Sequence, residues 1–581
     1  MIENQATFRE RIRWRALLAS RRKTASLTGV GGNPPPRGGM IQPLPSAASR
    51  LPVIIVGAGP VGLTATLDLV SRGVRDVVLL DEGDGPAVGS RAICWSRRSL
   101  EILSRLGVGR QLVEQGFTWQ TGRVFQRDEE LFRFDLQPEP GYGHPAFINL
   151  SQHDFEAALI ERLAAVGHAG VAWRHRVTGL AQAADHAALT VETPDGPRIF
   201  RAAWVIAADG PRSTLRRLLG LSCVGRVFDE RFLIADVRTD IDLGRERRFW
   251  FHPPFHPGDS ALMHRQPGNI FRIDFQLGVD ADPVAERQPE RIIPRLERVL
   301  GDRSRFELVW ASVYIFQCSR LERFVHGRVL FAGDSAHQLS PFGARGGNSG
   351  IHDADNLAWK LALMIDGKAG PALLESYNAE RVAACDENIL HSTRATDFMS
   401  PKPGMATALR DAVLDLARTQ PFARALINSG RLSVPAVLDG SPLNGPDVAD
   451  FARPARPGAA CPDAPVKGDG GAQAWLLDRL GGGFVGLYVA PSGGVPGDVA
   501  KAAVRWRRLP VPISLLSLSE ADDVAGMVRS RYGAAPGSFV LVRPDQHVAA
   551  RFRTFDAAAI EAALARALGG AADLQEAQCV A

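Results

Sequence analysis

The chain contains 581 residues, of which 45% are hydrophobic and 23% are charged, a composition typical of a folded protein with several domains. Its net charge of +5 does not predict nucleic acid binding, because the first 50 residues carry +7 and the rest carry −2. We find no apolar run long enough to span a membrane. The six cysteines are scattered, and they indicate neither a disulfide framework nor a zinc site.

The N-terminal segment, residues 1–50, has nine Lys or Arg against two Glu, and it contains a stretch rich in Gly and Pro. This composition predicts a disordered basic tail. Met40 is an alternative start of translation, and an organelle transit peptide is a less favoured interpretation. Because no cysteine pattern points to an oxidising compartment, we expect the protein in the cytoplasm.

A strand, a turn and a helix are predicted at residues 53–70, where a short apolar run precedes a Gly-rich turn and apolar residues at helical spacing follow it. The turn reads Gly57-Ala-Gly59-Pro60-Val-Gly62, the dinucleotide fingerprint. The first glycine allows the tight turn, the second lets the backbone approach a pyrophosphate, and the third lets the helix pack on the strand. This segment therefore predicts a nucleotide-binding end.

A second strand, residues 77–81, ends in Asp81, about 20 residues after the turn, where a carboxylate would hold a ribose hydroxyl. Glu82 is the alternative residue for that role. The glycine pattern recurs at residues 481–486, but there it follows a helical stretch and precedes a strand-like one. Since this order is the reverse of the nucleotide-binding one, we interpret the second match as a helix end followed by a turn.

Two further motifs lie much later in the chain. Asp209 and Gly210 follow an apolar run that begins at Val205, and Gly333 and Asp334 follow a similar run. An Asp-Gly pair alone predicts no more than a turn. The order and spacing of the three motifs together indicate a flavin-binding protein.

Residues 51–395 resemble the class A flavoprotein monooxygenases, the group of para-hydroxybenzoate hydroxylase and phenol hydroxylase. All three motifs stand in the family's order, and the third continues through Pro341 into Gly346-Gly-Asn-Ser-Gly-Ile-His-Asp-Ala-Asp-Asn-Leu-Ala-Trp-Lys360. The resemblance implies one noncovalent FAD. The residues expected to bind FAD are Gly57, Gly59, Pro60, Gly62, Asp81, Glu82, Arg91, Gln152, Asp209, Gly210, Gly333, Asp334, Pro341, Gly346, Gly347 and Asn348.

The resemblance also implies individual roles. Asp334 would hold the ribityl chain, Arg91 would lie along the flavin, and Gln152 would lie near the same cofactor. Arg97 and Arg98, which follow Arg91 closely, are expected to be solvated.

The helix predicted from Gly346 would direct its free N–H groups at the anion of reduced flavin. Arg345, just before it, stands where many relatives have glutamine. We expect this arginine either to assist an anionic substrate or tune the flavin, or to form a surface ion pair. His337 is expected to pack structurally in the cofactor-binding turn.

Residues 226–326 contain short runs of alternating polar and apolar residues, which predict strands with one covered face. The family inserts its substrate-binding sheet at this place. Tyr314 and Phe275 are candidate walls of an aromatic pocket, although core packing also accounts for both. The sequence assigns no general base.

A helical segment and linker, residues 396–452, precede a C-terminal domain at residues 453–575. That domain resembles the thioredoxin-like domain of the phenol hydroxylase branch but lacks a redox cysteine pair, so packing or dimer formation is its expected role. The predicted fold is α/β. It combines a Rossmann-like FAD-binding domain, residues 51–225 and 327–395, an inserted mixed or antiparallel substrate sheet, and the thioredoxin-like α/β domain.

The resemblance implies an enzyme that consumes NADH or NADPH and O2 and hydroxylates a small phenolic substrate through a C4a-hydroperoxyflavin. We expect no metal, no nucleic acid partner and no membrane span, and a homodimer is left open. Epoxidation, Baeyer-Villiger oxidation and tailoring of a polycyclic natural product are alternatives on the same fold. A flavin-binding sensor or inactive scaffold is the alternative from another class.

Overall fold

The computed structural model describes residues 50–570, except for residues 88, 90, 91, 137, 138, 169, 428–431, 446, 448–450 and 452. Arg91 and the predicted basic tail up to residue 49 therefore lie outside the described residues. Within the described part, no helix combines the length and the apolar character that a membrane crossing requires.

The first domain is built on a sheet whose middle strand is Arg50–Val56. The strand is apolar from Val53 onward because both faces of the sheet are covered, and Val53 and Ile54 are fully buried. Strands from distant parts of the chain pair with it on both sides in parallel. From edge to edge the parallel strands are Val329–Phe331, Gly196–Ala207, Arg50–Val56, Val77–Asp81 and Val171–Trp173.

Antiparallel strands extend this sheet, a small separate sheet lies beside it, and helices cover both faces. The antiparallel strands are Val325–His326, Ala187–Thr193 and Arg176–Gln182. The small sheet contains Cys94–Ser96, Phe147–Asn149 and Phe117–Trp119. The helices are Pro60–Ser71, Arg97–Arg105, Gly109–Gln115, Gln152–Ala165, Thr214–Leu218, Gly346–Ile365 and Pro371–Met399, with a 3-10 turn at Gly333–Ser335.

The second sheet has eight strands and is antiparallel except at one pair. That parallel pair joins Arg247–Phe251 to Thr121–Gln126, so the sheet recruits a hairpin from before residue 226. The predicted range 226–326 is therefore too narrow for this sheet, since pairing between distant strands leaves no local signal. In sheet order the strands are His337–Gln338, Phe306–Arg320, Val224–Thr239, Ile270–Leu277, Ser260–Gln266, Arg247–Phe251, Thr121–Gln126 and Glu129–Asp135.

Helices cover the second sheet on its outer face and at one end. Helix Pro289–Leu300, flanked by the 3-10 turns Ala285–Arg287 and Arg303–Arg305, buries Ile292 and Leu296 against the outer face. Helices Met405–Ala417 and Pro421–Ile427 pack near the hairpin strands through Leu414 and its neighbours. The opposite face of the sheet is left to contact the first domain.

The C-terminal domain has a four-stranded sheet in the order Ile513–Leu518, Phe484–Val489, Phe539–Val542 and Val548–Phe552. The first two strands are parallel and joined by a helix, and the last two form an antiparallel hairpin, as in the thioredoxin fold. The helices are Gly497–Trp506, Met527–Tyr532 and Ala557–Ala567. A ribbon of Pro465–Lys467 and Gln473–Trp475 and the 3-10 turns Arg453–Ala455, Asp469–Gly471 and Leu476–Arg479 precede this sheet.

The second glycine match, residues 481–486, leads into strand Phe484–Val489, as predicted. The preceding stretch forms only the 3-10 turn Leu476–Arg479 and not a longer helix. A strand, and not a helix, follows these glycines directly, so this match lacks the strand-turn-helix order of a nucleotide-binding turn.

The C-terminal domain docks onto the first domain through buried, fully paired charges. The carboxylate of Glu380 accepts hydrogen bonds from Lys360 and Arg543, each at 2.6 Å. Arg543 also donates to Asp545 at 2.6 Å, and Asp545 accepts from Trp359 Nε1 at 3.0 Å. Burial lowers the pKa of Lys360 to about 8, although Glu380 favours its charged form. Each charge in this interface cluster therefore has a partner of opposite sign.

Arg98 belongs to the same docking surface, so the prediction that it is solvated was wrong. Only 4% of Arg98 is exposed, and it donates to the backbone oxygen of Asp545 at 2.7 Å. Arg97 is half-buried, with its guanidinium 3.9 Å from the centre of the Tyr142 ring.

Candidate functional site

The Gly-rich turn has the geometry that a nucleotide-binding turn needs. Gly57 has φ +105°, and a Cβ there would lie 2.2 Å from the backbone oxygen of Ala208. A Cβ on Gly62 would lie 1.8 Å from the oxygen of Gly57, so no side chain fits at either position. Helix Pro60–Ser71 begins directly at the turn, with proline at its start, so the free N–H groups of its first turn lie at the glycines.

Asp81 lies at this turn, as predicted for the carboxylate that ends the second strand. Its oxygens accept the backbone N–H groups of Ala58 and Gly83, each at 2.7 Å. Glu82 is exposed. Asp81 is therefore the better placed of the two to hold a ribose beside the turn.

Glu156 is a residue of this site that sequence reasoning missed. Its Oε1 lies 4.0 Å from the place where a Cβ of Gly59 would be, and it accepts a hydrogen bond from Gln152 at 2.8 Å. Gln152 in turn accepts from the backbone of Ala92 at 3.4 Å, next to Arg91. Burial raises the pKa of Glu156. Its helical position among apolar neighbours gave no signal for this placement.

The second motif forms a turn at the end of the strand Gly196–Ala207. Asp209 Oδ2 accepts the N–H groups of Thr214 and Leu215 at 2.7 and 3.1 Å, and burial raises the pKa of this carboxyl. Its Oδ1 is buried without a partner among the described residues. Gly210 has φ +76° and open space where a Cβ would be. The turn thus presents an accepting oxygen and a bare backbone.

The third motif packs directly on the first. A Cβ on Gly333 would lie 2.7 Å from Cγ2 of Val61, and one on Gly350 would lie 2.5 Å from the same atom. Gly333 also has φ +65° and opens the 3-10 turn that contains half-buried Asp334. Close packing of these glycines on the Val61 side chain therefore brings residues some 270 positions apart into one site.

Asp353 fixes the third motif against the helices. Its Oδ2 accepts from the N–H of Gly333 at 3.0 Å and lies 2.6 Å from His337 Nε2, and its Oδ1 accepts from Arg381 at 2.6 Å. Burial alone would raise the pKa of Asp353, but His337 and Arg381 hold it below its usual range. His337 is fully buried, consistent with a structural role in the turn.

Helix Gly346–Ile365 directs its N-terminus toward the strand Cys94–Ser96. The side chain of Asn348 accepts from Ser99 at 2.7 Å and donates to the backbone oxygen of Cys94 at 2.9 Å, so the amide braces the helix and only its backbone is available to a ligand. Gly346 has open space where a Cβ would be, whereas Gly347 packs against Trp95.

Arg345 is buried, so the expectation of a surface ion pair at this position is wrong. Its Nη1 donates to the backbone oxygen of Phe342 at 3.1 Å, and the guanidinium folds over Gly343, where a Cβ would clash with it. Only 5% of Arg345 is exposed. Pro341, in the same loop, is exposed.

Buried polar side chains lie on the face of the second sheet that contacts the first domain, which we call the inward face. Arg272 donates to both oxygens of Asp236 at 2.8 and 2.9 Å. Nδ1 of His264 lies 3.9 Å from Sγ of Cys94, in the first domain. Strand register places Arg247, His264, Arg272, Asp274 and Asp236 on this face.

The environment of the inward face shifts several pKa values. Burial raises the pKa of Asp274 to about 7 against the attraction of Arg272 and Arg247. Burial and these two arginines lower the pKa of His264 well below its usual value, so its imidazole is neutral. Burial also raises the pKa of Cys94 to about 11.

Tyr314 and Phe275, the two predicted pocket walls, lie on opposite faces of the sheet. Tyr314 pairs with Phe232, two residues from Ile234, which pairs with Asp274, so Tyr314 shares the inward face. Phe275 is fully buried in the core against helix Pro289–Leu300. The structure therefore does not bring Phe275 to the inward face, because successive side chains of a strand alternate between faces.

These features fit FAD. The three motifs lie together, since Gly57 packs on Ala208 and Gly333 packs on Val61, and space is open beside the backbone of Gly210 and Gly346. We call this region the cofactor groove. The helices Pro60–Ser71 and Gly346–Ile365 both begin in it, and helix N-termini suit the anionic groups of a dinucleotide. Within the described residues, no group of three or more His, Cys, Asp or Glu is arranged to hold a metal ion.

Comparisons with known proteins agree with this geometry. A family model described as FAD binding domain matches residues 50–391, and one described as aromatic-ring hydroxylase, C-terminal, matches residues 454–571. The chain belongs to the class A flavoprotein monooxygenases. It is 32% identical over 531 residues to 6-methylpretetramide 4-monooxygenase of Streptomyces rimosus, covering 87% of this chain and 92% of that protein.

A second relative is the 3-(3-hydroxy-phenyl)propionate/3-hydroxycinnamic acid hydroxylase of Mycolicibacterium smegmatis, 31% identical over 376 residues, 64% of this chain and 66% of that one. Among solved structures, the flavin-dependent monooxygenase PieE in complex with FAD and substrate has TM-score 0.77 at 23% identity, covering 90% of this chain and 99% of that chain. Aklavinone-11 hydroxylase with FAD and aklavinone has TM-score 0.72 at 24% identity, covering 89% and 99%. This FAD-dependent hydroxylase thus shares the fold of these two solved structures over about nine tenths of its length.

Proposed function

We propose that this FAD-dependent monooxygenase uses NADH or NADPH and O2 to hydroxylate a phenolic ring. The single observation that carries the proposal is the inward face, where a carboxylate and an arginine share a buried surface with Tyr314 beside the helix N-terminus of the cofactor groove. A phenol matches such a surface because it combines an apolar ring with one acidic hydroxyl. The relatives' names, which include a hydroxyphenylpropionate hydroxylase and a methylpretetramide monooxygenase, support the substrate class.

The chain's own residues bind and orient the cofactor and exclude water from it. When bound, FAD supplies the transfer of electrons from nicotinamide to oxygen. The residues that we assign to FAD binding are Gly57, Gly59, Pro60, Gly62, Asp81, Glu82, Arg91, Gln152, Asp209, Gly210, Gly333, Asp334, Pro341, Gly346, Gly347 and Asn348. Among them, Asp81 and the glycines have the strongest geometric support. Arg345 lies directly before helix Gly346–Ile365, beside the N-terminus of that helix.

Tailoring of a polycyclic natural product is the second candidate. It is supported by 32% identity to the methylpretetramide enzyme over nearly the whole chain. Epoxidation, Baeyer-Villiger oxidation and a silent flavin-binding scaffold have no specific support in the described residues.

The test is NADH and NADPH oxidation by FAD-loaded protein with phenol, 3-(3-hydroxyphenyl)propionate, 1-naphthol and 1-hydroxyanthraquinone, while peroxide and products are quantified. We expect one or more of these phenols to accelerate nicotinamide oxidation and to gain one oxygen. A response confined to the fused-ring phenols would favour the polycyclic substrate. Acceleration that yields only peroxide, or no acceleration with any phenol, would contradict hydroxylation of simple or fused phenols.

We further propose that the enzyme acts in the cytoplasm and as a homodimer. The five cysteines in the described part are unpaired, as suits a reducing compartment. Exposed apolar side chains on helices Met405–Ala417 and Pro421–Ile427, including Met405 and Phe422, support an association surface. Sedimentation of the wild type and of Phe422→Ser tests the dimer, and a wild-type monomer would contradict it.

A further inference from the structure

Two charged side chains of the inward face have polar atoms that are buried without a hydrogen-bond partner. Among the described residues, Oδ1 of Asp274 and Nη1 of Arg247 are buried and have no hydrogen-bond partner. Burial of a charged group without a partner is destabilising, and native proteins leave few such groups. Their occurrence on one face indicates that the missing partner comes from outside the chain.

Asp274 and Arg247 are less deeply buried than their neighbours on the inward face. Both are half-buried as whole residues, whereas 2% of Arg272 and 4% of His264 are exposed. The guanidinium of Arg247 points toward the first domain, since it lies 5.7 Å from the centre of the Trp119 ring. The two unpartnered side chains therefore lie where the second sheet meets the first domain.

The same face is connected to the cofactor groove by two contacts. Cys94 lies 3.9 Å from His264 through its Sγ, and its backbone oxygen accepts the hydrogen bond from Asn348 in the first turn of helix Gly346–Ile365. A ligand held by Asp274 and Arg247 would therefore lie between the second sheet and the N-terminus of that helix. This is where a substrate must lie to meet the flavin.

We propose that Asp274 accepts the hydroxyl proton of a phenolic substrate and that Arg247 binds the oxygen anion left behind. The proposal rests on the proposed function. The O–H bond of the phenol breaks, an O–H bond forms at Oδ1 of Asp274, and the negative charge moves from the carboxylate to the phenolate oxygen. The ring becomes electron-rich, as electrophilic hydroxylation requires.

The charged and titratable groups around Asp274 suit this role. Arg272 on the same strand is engaged by Asp236, and His264 on the neighbouring strand is neutral. Cys94 faces it from the first domain as a thiol, and Tyr314 stands further along the same face. Arg247 is thus the cation on this face that lacks a partner for one nitrogen.

The ionisation of Asp274 gives the expected pH dependence. Since burial raises its pKa to about 7, the carboxylate that accepts the proton predominates only above that pH. We expect the hydroxylation rate of wild type to rise through about pH 7. In Asp274→Asn this step in the profile should disappear, and the rate should fall by about 10²-fold or more, as for loss of a general base.

Phenols of different acidity show whether Asp274 acts as a base or only supports the structure. A fluorine ortho to the hydroxyl makes a phenol more acidic, so Asp274→Asn should lose less activity on the fluorinated form of the panel phenol that wild type hydroxylates fastest. The matched control is Glu307→Gln, an exposed carboxylate on the same sheet, which should leave rate and pH profile unchanged. Asp274→Glu should restore part of the rate.

Binding provides a readout that needs no turnover. Oxidised, FAD-loaded wild type should bind 3-(3-hydroxyphenyl)propionate about tenfold more tightly than 3-phenylpropionate, and 1-naphthol more tightly than naphthalene, because the hydroxyl gains charge-assisted hydrogen bonds. Asp274→Leu and Arg247→Met should reduce this preference to about threefold or less, and both proteins should retain FAD.

Failure of the assignment of Asp274 and Arg247 and failure of the proposed function give different results. A hydroxyl preference that is absent in wild type, or equal in wild type and both variants for both pairs, would overturn the assignment of Asp274 and Arg247. The same holds if Asp274→Asn keeps the wild-type rate and pH profile. If instead the preference depends on both residues but no phenol is hydroxylated, the proposed function fails and the binding site stands.

Discussion

The buried charges of the domain interface and those of the inward face differ in one respect. At the interface, Lys360, Glu380, Arg543 and Asp545 all have partners within 2.6 Å. On the inward face, Asp274 and Arg247 each keep a buried atom without one. We infer that the paired charges of the interface hold the two domains together, and that the two unpartnered atoms of the inward face await a ligand.

The largest expected effect is at the interface. Arg543→Met leaves the carboxylates of Glu380 and Asp545 without their shared cation, and we expect the free energy of unfolding to fall by about 3–5 kcal/mol. Urea denaturation followed by tryptophan fluorescence measures the change. Arg323→Met, at a surface pair with Glu375, is the control and should change stability by less than about 0.5 kcal/mol. A loss below about 1 kcal/mol for Arg543→Met would mean that the paired interface charges contribute little to stability.

A smaller effect, with a definite pH dependence, is expected at the paired carboxylate of the cofactor groove. Asp353 has a folded pKa below its unfolded value of about 3.9, so its contribution is complete above that value and is lost as pH falls below it. Asp353→Asn should lower stability by about 3 kcal/mol at neutral pH.

The difference between Asp353→Asn and wild type should shrink as the pH is lowered toward 3, because Asp353 of the unfolded wild-type chain then takes up its proton while Asp353 of the folded protein stays ionised. Unfolding by urea at several pH values measures this convergence. Asp366→Asn, an exposed carboxylate paired with Lys368, serves as control and should follow wild type throughout. A constant difference between Asp353→Asn and wild type at all pH values would contradict the assignment.

The smallest expected effect is a gain in the free energy of unfolding rather than a loss. Asp274→Leu removes an unpartnered carboxylate from the inward face, and we expect the free energy of unfolding of ligand-free protein to rise by about 1 kcal/mol. Thermal unfolding without substrate measures the shift, with Glu307→Gln as control. A clear loss of stability would mean that Asp274 supports the fold and would weaken the distinction between the two regions.

The cofactor groove was predictable because its constraints are local and steric. Gly57, Gly62 and Gly333 each stand where a Cβ would clash with nearby atoms, so each motif needs glycine at a fixed position, and the order and spacing of the motifs then indicate the cofactor. The thioredoxin-like domain was predictable for a similar reason, since its strands and helices alternate along the chain. Arg91 lies outside the described residues, and its role stays a prediction.

The features that sequence reasoning did not predict depend on contacts between residues far apart in the chain. Arg98 was expected in solvent, but its acceptor at Asp545 lies 447 positions away and belongs to another domain. Glu156 reaches the Gly-rich turn from a helix that looks like ordinary packing. Phe275 and Asp274 are adjacent in sequence, yet only the strand register shows which of them faces the first domain.

The hairpin at residues 121–135 has a consequence for recombination of this enzyme with its relatives. A chimaera that exchanged only residues 226–326 would import a sheet whose strand Arg247–Phe251 must still pair with the host's Thr121–Gln126. A mismatch there would expose a strand edge and invite association between molecules. The unit of exchange for substrate preference is therefore discontinuous and consists of the insert together with that earlier hairpin.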